Sequence, residues 1–157
     1  PEIVLLGYHR PVLGGTLLGG VVHLVLRNAD PVVAVLVDRG FPRQPASLLI
    51  PFLGTVHDRA ALRLAARIQR ATGASLTMLC ARAKAADARH AIVQAGVRAE
   101  LETIQGASAP DAVVARARDI DLVVVGLDTE RLLRDCTSSM LIVRERIGGL
   151  ARAKVEV

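Results

Sequence analysis

The sequence predicts an α/β domain built on an open, doubly wound parallel sheet. Short continuous apolar runs alternate with segments whose apolar residues recur at helical spacing. Such runs are typical of strands buried on both faces, and their alternation with helices is typical of a parallel sheet. The 157 residues, of which 52% are hydrophobic, suffice for one packed domain, or for one domain and a fragment of a second.

The first unit is predicted to be a strand, a helix and a parallel strand. The strands are the apolar runs Ile3–Leu6 and Val32–Val37. A helix with one broad apolar face lies between them, and Asn28 and Pro31 close it. The residues of that face are Leu17, Leu18, Val21, Val22, Leu24 and Val25.

A proline-containing linker at 41–46 separates this unit from a longer one in which strands and helices alternate. We predict strands at Leu48–Phe52, Leu76–Cys80, Val97–Ile104, Leu122–Val125 and Met140–Val143. Right-handed crossovers between them give the doubly wound sheet.

The helices between these strands carry recognisable end signals. Asp58 is predicted to cap the first helix, which Gly73 ends, and Gly96 ends the second, Ala86–Ala95. Ser108, Pro110 and Asp111 form a helix start of the capping-box type, and the last helical segment is Thr129–Arg134.

A weak internal repeat indicates how the chain is divided. Glu2–Gly7 resembles Asp121–Gly126, and Val32–Gly40 resembles Met140–Gly148, with a basic, glycine-containing exit from each strand. We therefore expect 1–40 to be the closing part of a first domain, 41–46 a linker, 47–147 a complete second domain and 148–157 a tail. Because the chain starts at Pro1 without the preceding strands, we expect it to be a fragment of a longer protein.

Composition argues against several functional classes. Aromatic residues make up only 2% of the chain, so base-stacking platforms for nucleic acid are not expected, and the basic residues behind the net charge of +5 are scattered among acidic ones. Cys80 and Cys136 lack metal-ligand spacing and are predicted to be buried free thiols. The apolar segment Val12–Leu26 is too short for a bilayer span and is interrupted by His23, so we expect no membrane insertion.

The chain resembles the universal stress protein family, whose fold is Rossmann-like and related to the adenine nucleotide alpha hydrolases. Leu48–Thr55 and His57–Leu62 are similar to that family's opening strand and helix. Three further segments resemble its closing part: Gly7–Pro11, Gly14–Gly20 and Ala29–Gly40. They are more narrowly similar to the tandem stress domains that follow the membrane part of sodium (cation)/proton antiporters.

Nucleotide-binding members of this family carry a Gly-x2-Gly-x9-Gly-Ser/Thr loop after one strand and a carboxylate after the first strand. Glycines let the backbone approach phosphate, and the amides at a helix start face the anion. The resemblance implies a site for ATP or AMP at Gly7, His9, Arg10, Gly14, Gly15, Thr16, Gly19 and Gly20, with His9 and Arg10 as phosphate partners. The alternative is a glycine-rich turn that lets a helix pack closely on the sheet.

The chain departs from the family pattern at several positions. Arg10 stands at the second glycine, no Ser or Thr follows Gly19-Gly20, and Leu53 replaces the carboxylate. In the complete unit, Gly126 is followed by Leu127-Asp128-Thr129-Glu130, whose two carboxylates would repel a phosphate group. We therefore expect this unit to have lost nucleotide binding.

We identify no catalytic constellation and expect no enzyme. His57 and Asp58 are adjacent at a helix start, where capping by Asp58 is favoured over acid/base chemistry. The polar cluster Asp135–Ser139 has no base nearby in sequence and is typical of a turn.

The expected function is that of a regulatory or assembly domain of a cation/proton antiporter at the cytoplasmic face of the membrane, with an adenine nucleotide as a candidate signal. The antiporter membrane domain is the implied partner. Met140–Val143 and Val32–Val37 are the candidate edges for a homodimer or for a pseudo-dimer between tandem copies. The alternative is a free-standing tandem stress protein that binds ATP or AMP.

Overall fold

The computed structural model describes residues 2–8, 20–106, 108–127 and 130–148. Within these ranges seven strands form one sheet: β1 (Ile3–Tyr8), β2 (Val32–Val37), β3 (Ser47–Phe52), β4 (Ser75–Cys80), β5 (Glu100–Thr103), β6 (Leu122–Gly126) and β7 (Ser139–Arg144). The same ranges contain the helices α1 (Gly20–Asn28), α2 (Val56–Thr72), α3 (Ala85–Ala95), α4 (Ala109–Ala117) and α5 (Glu130–Asp135), with a 3₁₀ turn at Arg82–Lys84.

The strand order is β1-β2-β7-β6-β3-β4-β5. Helices cover both faces, because α2 and α3 pack on one side of the sheet and α4 and α5 pack together on the other. Strands β3, β4, β6 and β7 carry side chains into both layers. Leu48 and Ile50 belong to the first core, whereas Leu49 and Val123 belong to the second. The predicted doubly wound α/β fold is therefore confirmed.

One pair of strands departs from the predicted parallel sheet. β2 runs antiparallel to β7, with Val33 opposite Arg144 and Val37 opposite Met140, whereas β1 is parallel to β2. The two candidate pairing edges thus pair with each other inside one chain. Hydrophobic periodicity shows that a strand is buried on both faces, but it carries no information about the direction of the neighbouring strand.

Two arginines hold the ends of the β2–β7 seam. Arg39, just past β2, donates from Nη1 to the carbonyl oxygens of Cys136 (2.8 Å) and Ser138 (3.1 Å), and from Nη2 to that of Leu133 (2.7 Å). Its own amide donates to Oγ of Ser139 at 2.8 Å. Because these acceptors lie at the end of α5 and in the turn before β7, Arg39 ties the first unit to the second.

Arg144 occupies the opposite end of the seam and is only 2% exposed. Its Nη1 donates to the carbonyl oxygen of Glu145 at 2.6 Å, and its Nη2 donates to that of Ala29, in the turn between α1 and β2. Burial lowers the pKa of this guanidinium from its ordinary value, an effect that the nearby carboxylates of Asp30 and Glu145 oppose. The turn is also held by the amide of Ile147, which donates to the carbonyl oxygen of Asp30 at 3.0 Å.

The helix ends largely follow the sequence signals, with one correction. Gly73 and Gly96 end α2 and α3 in the left-handed conformation, at φ of 73° and 65°, and Ser108 caps α4 by accepting from the amide of Asp111. The N-cap of α2, however, is Thr55 and not Asp58. β5 is also shorter than the predicted strand Val97–Ile104, because only Glu100–Thr103 pairs with β4.

Candidate functional site

The sheet has its topological switch point between β3 and β6. From β3 the chain builds outward to β4 and β5 on one side, and it returns to β6 and β7 on the other. A crevice opens outside the carboxyl ends of strands at such a point, and ligands of doubly wound folds bind there. The residues that follow β3 and β6 therefore form the candidate site of the second unit.

The carboxylate of Asp58 lies in this crevice and binds amides of the turn between β3 and α2. The residue is 4% exposed, and its Oδ2 accepts from the amides of Leu53 (2.8 Å) and Thr55 (3.1 Å). In return, Thr55 Oγ1 accepts from the amide of Asp58 at 3.2 Å, which completes a capping box at the start of α2. The amides of Leu53 and Thr55 are therefore occupied by a carboxylate of the same chain.

Gly126, the last residue of β6, lies directly against this capping box. A Cβ built on Gly126 would approach Asp58 Oδ1 to 2.6 Å, and the backbone nitrogen of Asp58 and the carbonyl carbon of His57 to 2.9 Å. Glycine is required here because β6 ends against the first turn of α2. This glycine therefore serves close packing of helix and sheet.

What remains of the crevice is small and largely apolar. The cavity measures about 120 Å³, well below the roughly 300–1,000 Å³ typical of small-molecule sites. Arg131 at its rim forms ion pairs with Asp111 (2.5 Å) and Asp135 (3.6 Å). Among the described residues, Asp58 and Gly126 pack into the crevice, and the remaining cavity leaves little space for a nucleotide.

His57 and Asp58 contact different partners. Nδ1 of His57 accepts from the amide of Glu145 at 3.1 Å, whereas Asp58 binds the amides of the β3–α2 turn. The Glu145 carboxylate, 8% exposed as a residue, is paired with Arg63 and accepts from the amide of Arg146 at 2.8 Å. The arrangement links α2 to the exit of β7, as expected for a structural role.

The predicted nucleotide site falls mostly outside the described residues. This applies to His9, Arg10, Gly14, Gly15, Thr16 and Gly19. Gly7 lies at the carboxyl end of β1, opposite Leu36 of β2, and Gly20 is the first described residue of α1. The helical segment that follows the glycines and the strand that precedes them are thus both present.

Because β1 and β2 run opposite to the other five strands, the two glycine exits lie at opposite ends of the sheet. Gly7 lies at the carboxyl end of β1, which is parallel to β2. Gly126 lies at the carboxyl end of β6, which is parallel to β7, and β7 is antiparallel to β2. The chain therefore carries two separate candidate positions, one per unit, and their residues do not combine into one site.

Both cysteines are buried and free, as predicted. Burial raises the pKa of the Cys80 and Cys136 thiols above the ordinary value, and Arg39 opposes this effect at Cys136. Among the described residues no cluster of His, Cys, Asp and Glu is arranged to hold a metal ion. No helix in the same ranges is long and apolar enough to cross a membrane.

The sequence interpretation missed the seam residues Arg39 and Arg144. The internal repeat could have indicated these residues, because a basic, glycine-containing segment follows both closing strands. Their role depends on the antiparallel pairing, which places the exit of each strand beside the turn that precedes the other.

Comparison with known proteins gives structural similarity alone. No protein-family model matches the chain, and no curated protein matches it. A universal stress protein in complex with cAMP has a TM-score of 0.53 and 21% identity over 64% of this chain and 98% of its own. A universal stress protein from Archaeoglobus fulgidus has a TM-score of 0.66 and 16% identity, over 90% of this chain and 61% of its own.

A further universal stress protein from Archaeoglobus fulgidus, in complex with dAMP, has a TM-score of 0.52 and 16% identity over 62% of this chain and 97% of its own. At these identities the likeness concerns the backbone arrangement. The chain has the fold of the universal stress proteins.

Proposed function

We propose that the chain is a regulatory and assembly domain of a cation/proton antiporter, held at the cytoplasmic face of the membrane, and that it acts through the outer edge of β1. The observation that supports this proposal is the position of β1. It pairs with β2 on one side and has no strand on the other within the described part of the chain. The resemblance of Gly7–Gly40 to antiporter-linked stress domains supports the choice of membrane partner.

The internal repeat supports one kind of partner for this edge. The β1–β2 pair is parallel and sets Gly7 opposite Leu36, just as the parallel β6–β7 pair sets Gly126 opposite Val143. β6 receives β3 along its other edge, whereas among the described residues no strand pairs with the corresponding edge of β1. The complementary element is therefore an apolar strand parallel to β1.

The first unit exposes several large apolar side chains, as an assembly surface requires. Leu5 in β1 is 64% exposed, and Val21 and Leu24 on α1 are 75% and 63% exposed. An open apolar edge strand exposes unpaired backbone groups and binds a further strand readily. In the proposed arrangement, another part of the antiporter assembly supplies this strand.

The test uses the full-length product of the gene, followed by an antibody to this chain. We expect the product in the membrane fraction, resistant to alkaline extraction, and we expect everted vesicles that contain it to exchange cations for protons. Leu5→Lys should change the rate or pH response of exchange because a charge blocks edge pairing. Val93→Lys is the control, since Val93 on α3 is 77% exposed and remote in the strand order. A soluble product without exchange activity contradicts the proposal.

A second candidate is a free-standing tandem stress protein that binds ATP or AMP. Two proteins of the same fold were solved in complex with cAMP and dAMP, which favours this candidate, and Gly7 leads from a strand end into the glycine-rich segment. If this segment binds a nucleotide, the midpoint of thermal unfolding should rise with ATP or AMP concentration. Arg10→Ala should abolish the rise, and an unchanged midpoint at millimolar nucleotide contradicts this candidate.

A further inference from the structure

A second cavity lies at the opposite end of the second unit, outside the amino ends of β3, β4 and β5. It has a volume of about 620 Å³, within the range typical of small-molecule sites. We refer to it as the amino-end groove. Its polar border includes Ser47, Thr77, Arg98, Glu100, Arg116 and Asp119.

The walls of the groove are fixed by internal contacts. Arg116 on α4 donates from Nε and Nη2 to the Glu102 carboxylate of β5, at 2.9 and 3.1 Å. Across the groove, Gln69 of α2 accepts from the amide of Arg98 at 3.2 Å and donates to its carbonyl oxygen at 2.8 Å. The segment that leads into β5 is thus held in place, and the groove is built before any ligand enters.

Thr77 supplies a hydroxyl group to the groove. The residue is 6% exposed, lies in β4 and lines the groove. Among the described residues its hydroxyl has no hydrogen-bond partner, and its oxygen is not among the atoms sealed from solvent. Because the oxygen is open to solvent, a water or a ligand atom within the groove can supply its hydrogen bond.

The charges of the groove are mixed in sign. The Arg98 guanidinium and the Glu100 carboxylate form no ion pair within the described ranges, and both residues are exposed at the rim. Asp119 adds a second carboxylate close enough to raise the pKa of Arg116 slightly, after the larger effect of the Glu102 hydrogen bond. A polyanion is disfavoured by these carboxylates, and no aromatic residue lines the groove for a base or sugar to stack upon.

We propose that the amino-end groove binds a small zwitterion with an ammonium and a carboxylate group, namely a free amino acid or a short peptide. Arg98 receives the carboxylate, Glu100 and Asp119 receive the ammonium group, and the Thr77 hydroxyl binds a polar atom of the ligand at the base. This site is independent of the antiporter and nucleotide proposals, because it lies at the amino ends of the strands.

The experiment is a titration of the full chain followed by amide chemical shifts. The probes are L-alanine and the dipeptide Ala-Ala, with alanine amide and N-acetylalanine as analogues that each lack one charge, and AMP as a nucleotide. We expect saturable shifts at Thr77, Arg98 and Glu100 with a zwitterionic probe, and roughly tenfold weaker binding of each one-charge analogue, since a charged hydrogen bond contributes this much. Tighter binding of Ala-Ala identifies the peptide as the source.

Variants separate binding from folding. Thr77→Val should weaken binding and leave the unfolding midpoint unchanged or raised, because it removes a hydroxyl that has no internal partner. Arg98→Gln should weaken binding roughly tenfold, whereas Arg82→Gln in the 3₁₀ turn is the matched control. The proposal is overturned if no zwitterion gives saturable shifts at tens of millimolar, if AMP alone shifts these amides, or if Thr77→Val lowers the unfolding midpoint.

Discussion

Gly126 and Asp58 are packed so closely that a methyl group on the glycine would come within 2.6 Å of the aspartate Oδ1. This contact joins the end of β6 to the capping box of α2 and closes the crevice at the switch point. Since Asp58 also binds the amides of Leu53 and Thr55, one carboxylate organises the turn between β3 and α2.

Gly126→Ala is therefore expected to destabilise the fold. The added methyl group must displace backbone atoms of α2 as well as the carboxylate, and overpacking of this kind costs about 1–3 kcal/mol. Urea unfolding followed by circular dichroism measures the change. Gly20→Ala is the control, because a Cβ there meets nothing within 4 Å. Equal stability of the two variants would contradict the close packing described above.

Arg39→Ala should loosen the junction between the two units. It leaves the carbonyl oxygens of Leu133, Cys136 and Ser138 without their guanidinium donor. We expect the free energy of unfolding to fall by about 1–2 kcal/mol, since the side chain is partly exposed. Hydrogen exchange should accelerate first in β2 and β7. Arg43→Ala in the linker serves as the control. Faster exchange confined to β4 and β5 would argue against a seam role.

The Arg144 side chain stabilises the fold both by filling buried volume and by donating hydrogen bonds. Arg144→Ala removes a buried side chain as well as the donors to Ala29 and Glu145, and we expect a loss of about 2–5 kcal/mol in the free energy of unfolding. Arg144→Met keeps most of the volume and removes an Nε that has no partner, so it should cost clearly less. Equal losses for Met and Ala would show that the hydrogen bonds outweigh the packing.

The two buried cysteines should make the stability of the fold depend on pH in the alkaline range. Burial raises the folded-state pKa of Cys80 and Cys136 above the ordinary value of 9.0, so the folded chain retains protons that the unfolded chain releases. Their contribution to stability is complete below pH 9 and is lost as the pH rises through the folded-state pKa. Unfolding free energies measured from pH 7 to pH 11 should fall at the alkaline end.

A matched variant assigns this alkaline loss to the thiols. Cys80→Ala combined with Cys136→Ala should reduce the part of the slope that begins near pH 9, although lysine and tyrosine residues leave a remainder. In the native chain at neutral pH, a thiol reagent should react slowly at both residues and rapidly after unfolding. Rapid reaction of the native protein would contradict their burial.

The order of the elements could be predicted because the relevant signals are local. Val32–Val37 was predicted at its observed limits, and Gly73 and Gly96 mark the ends of α2 and α3, since glycine adopts the left-handed conformation without strain. The capping box was harder to assign. Asp58 was predicted to cap α2, and it does so from N3, whereas the N-cap residue is Thr55, because both residue types act at a helix start.

The sequence by itself determined the α/β alternation, the buried strands, the helix ends and the buried cysteines, because hydrophobic periodicity and end signals act over a few residues. Only the tertiary structure decided that β2 joins β7 in antiparallel orientation, that Asp58 and Gly126 close one crevice, and that Thr77 and Arg98 border another. These relationships join residues far apart in the chain, such as Arg39 with Cys136, and depend on strand direction and packing distance, which no local pattern encodes.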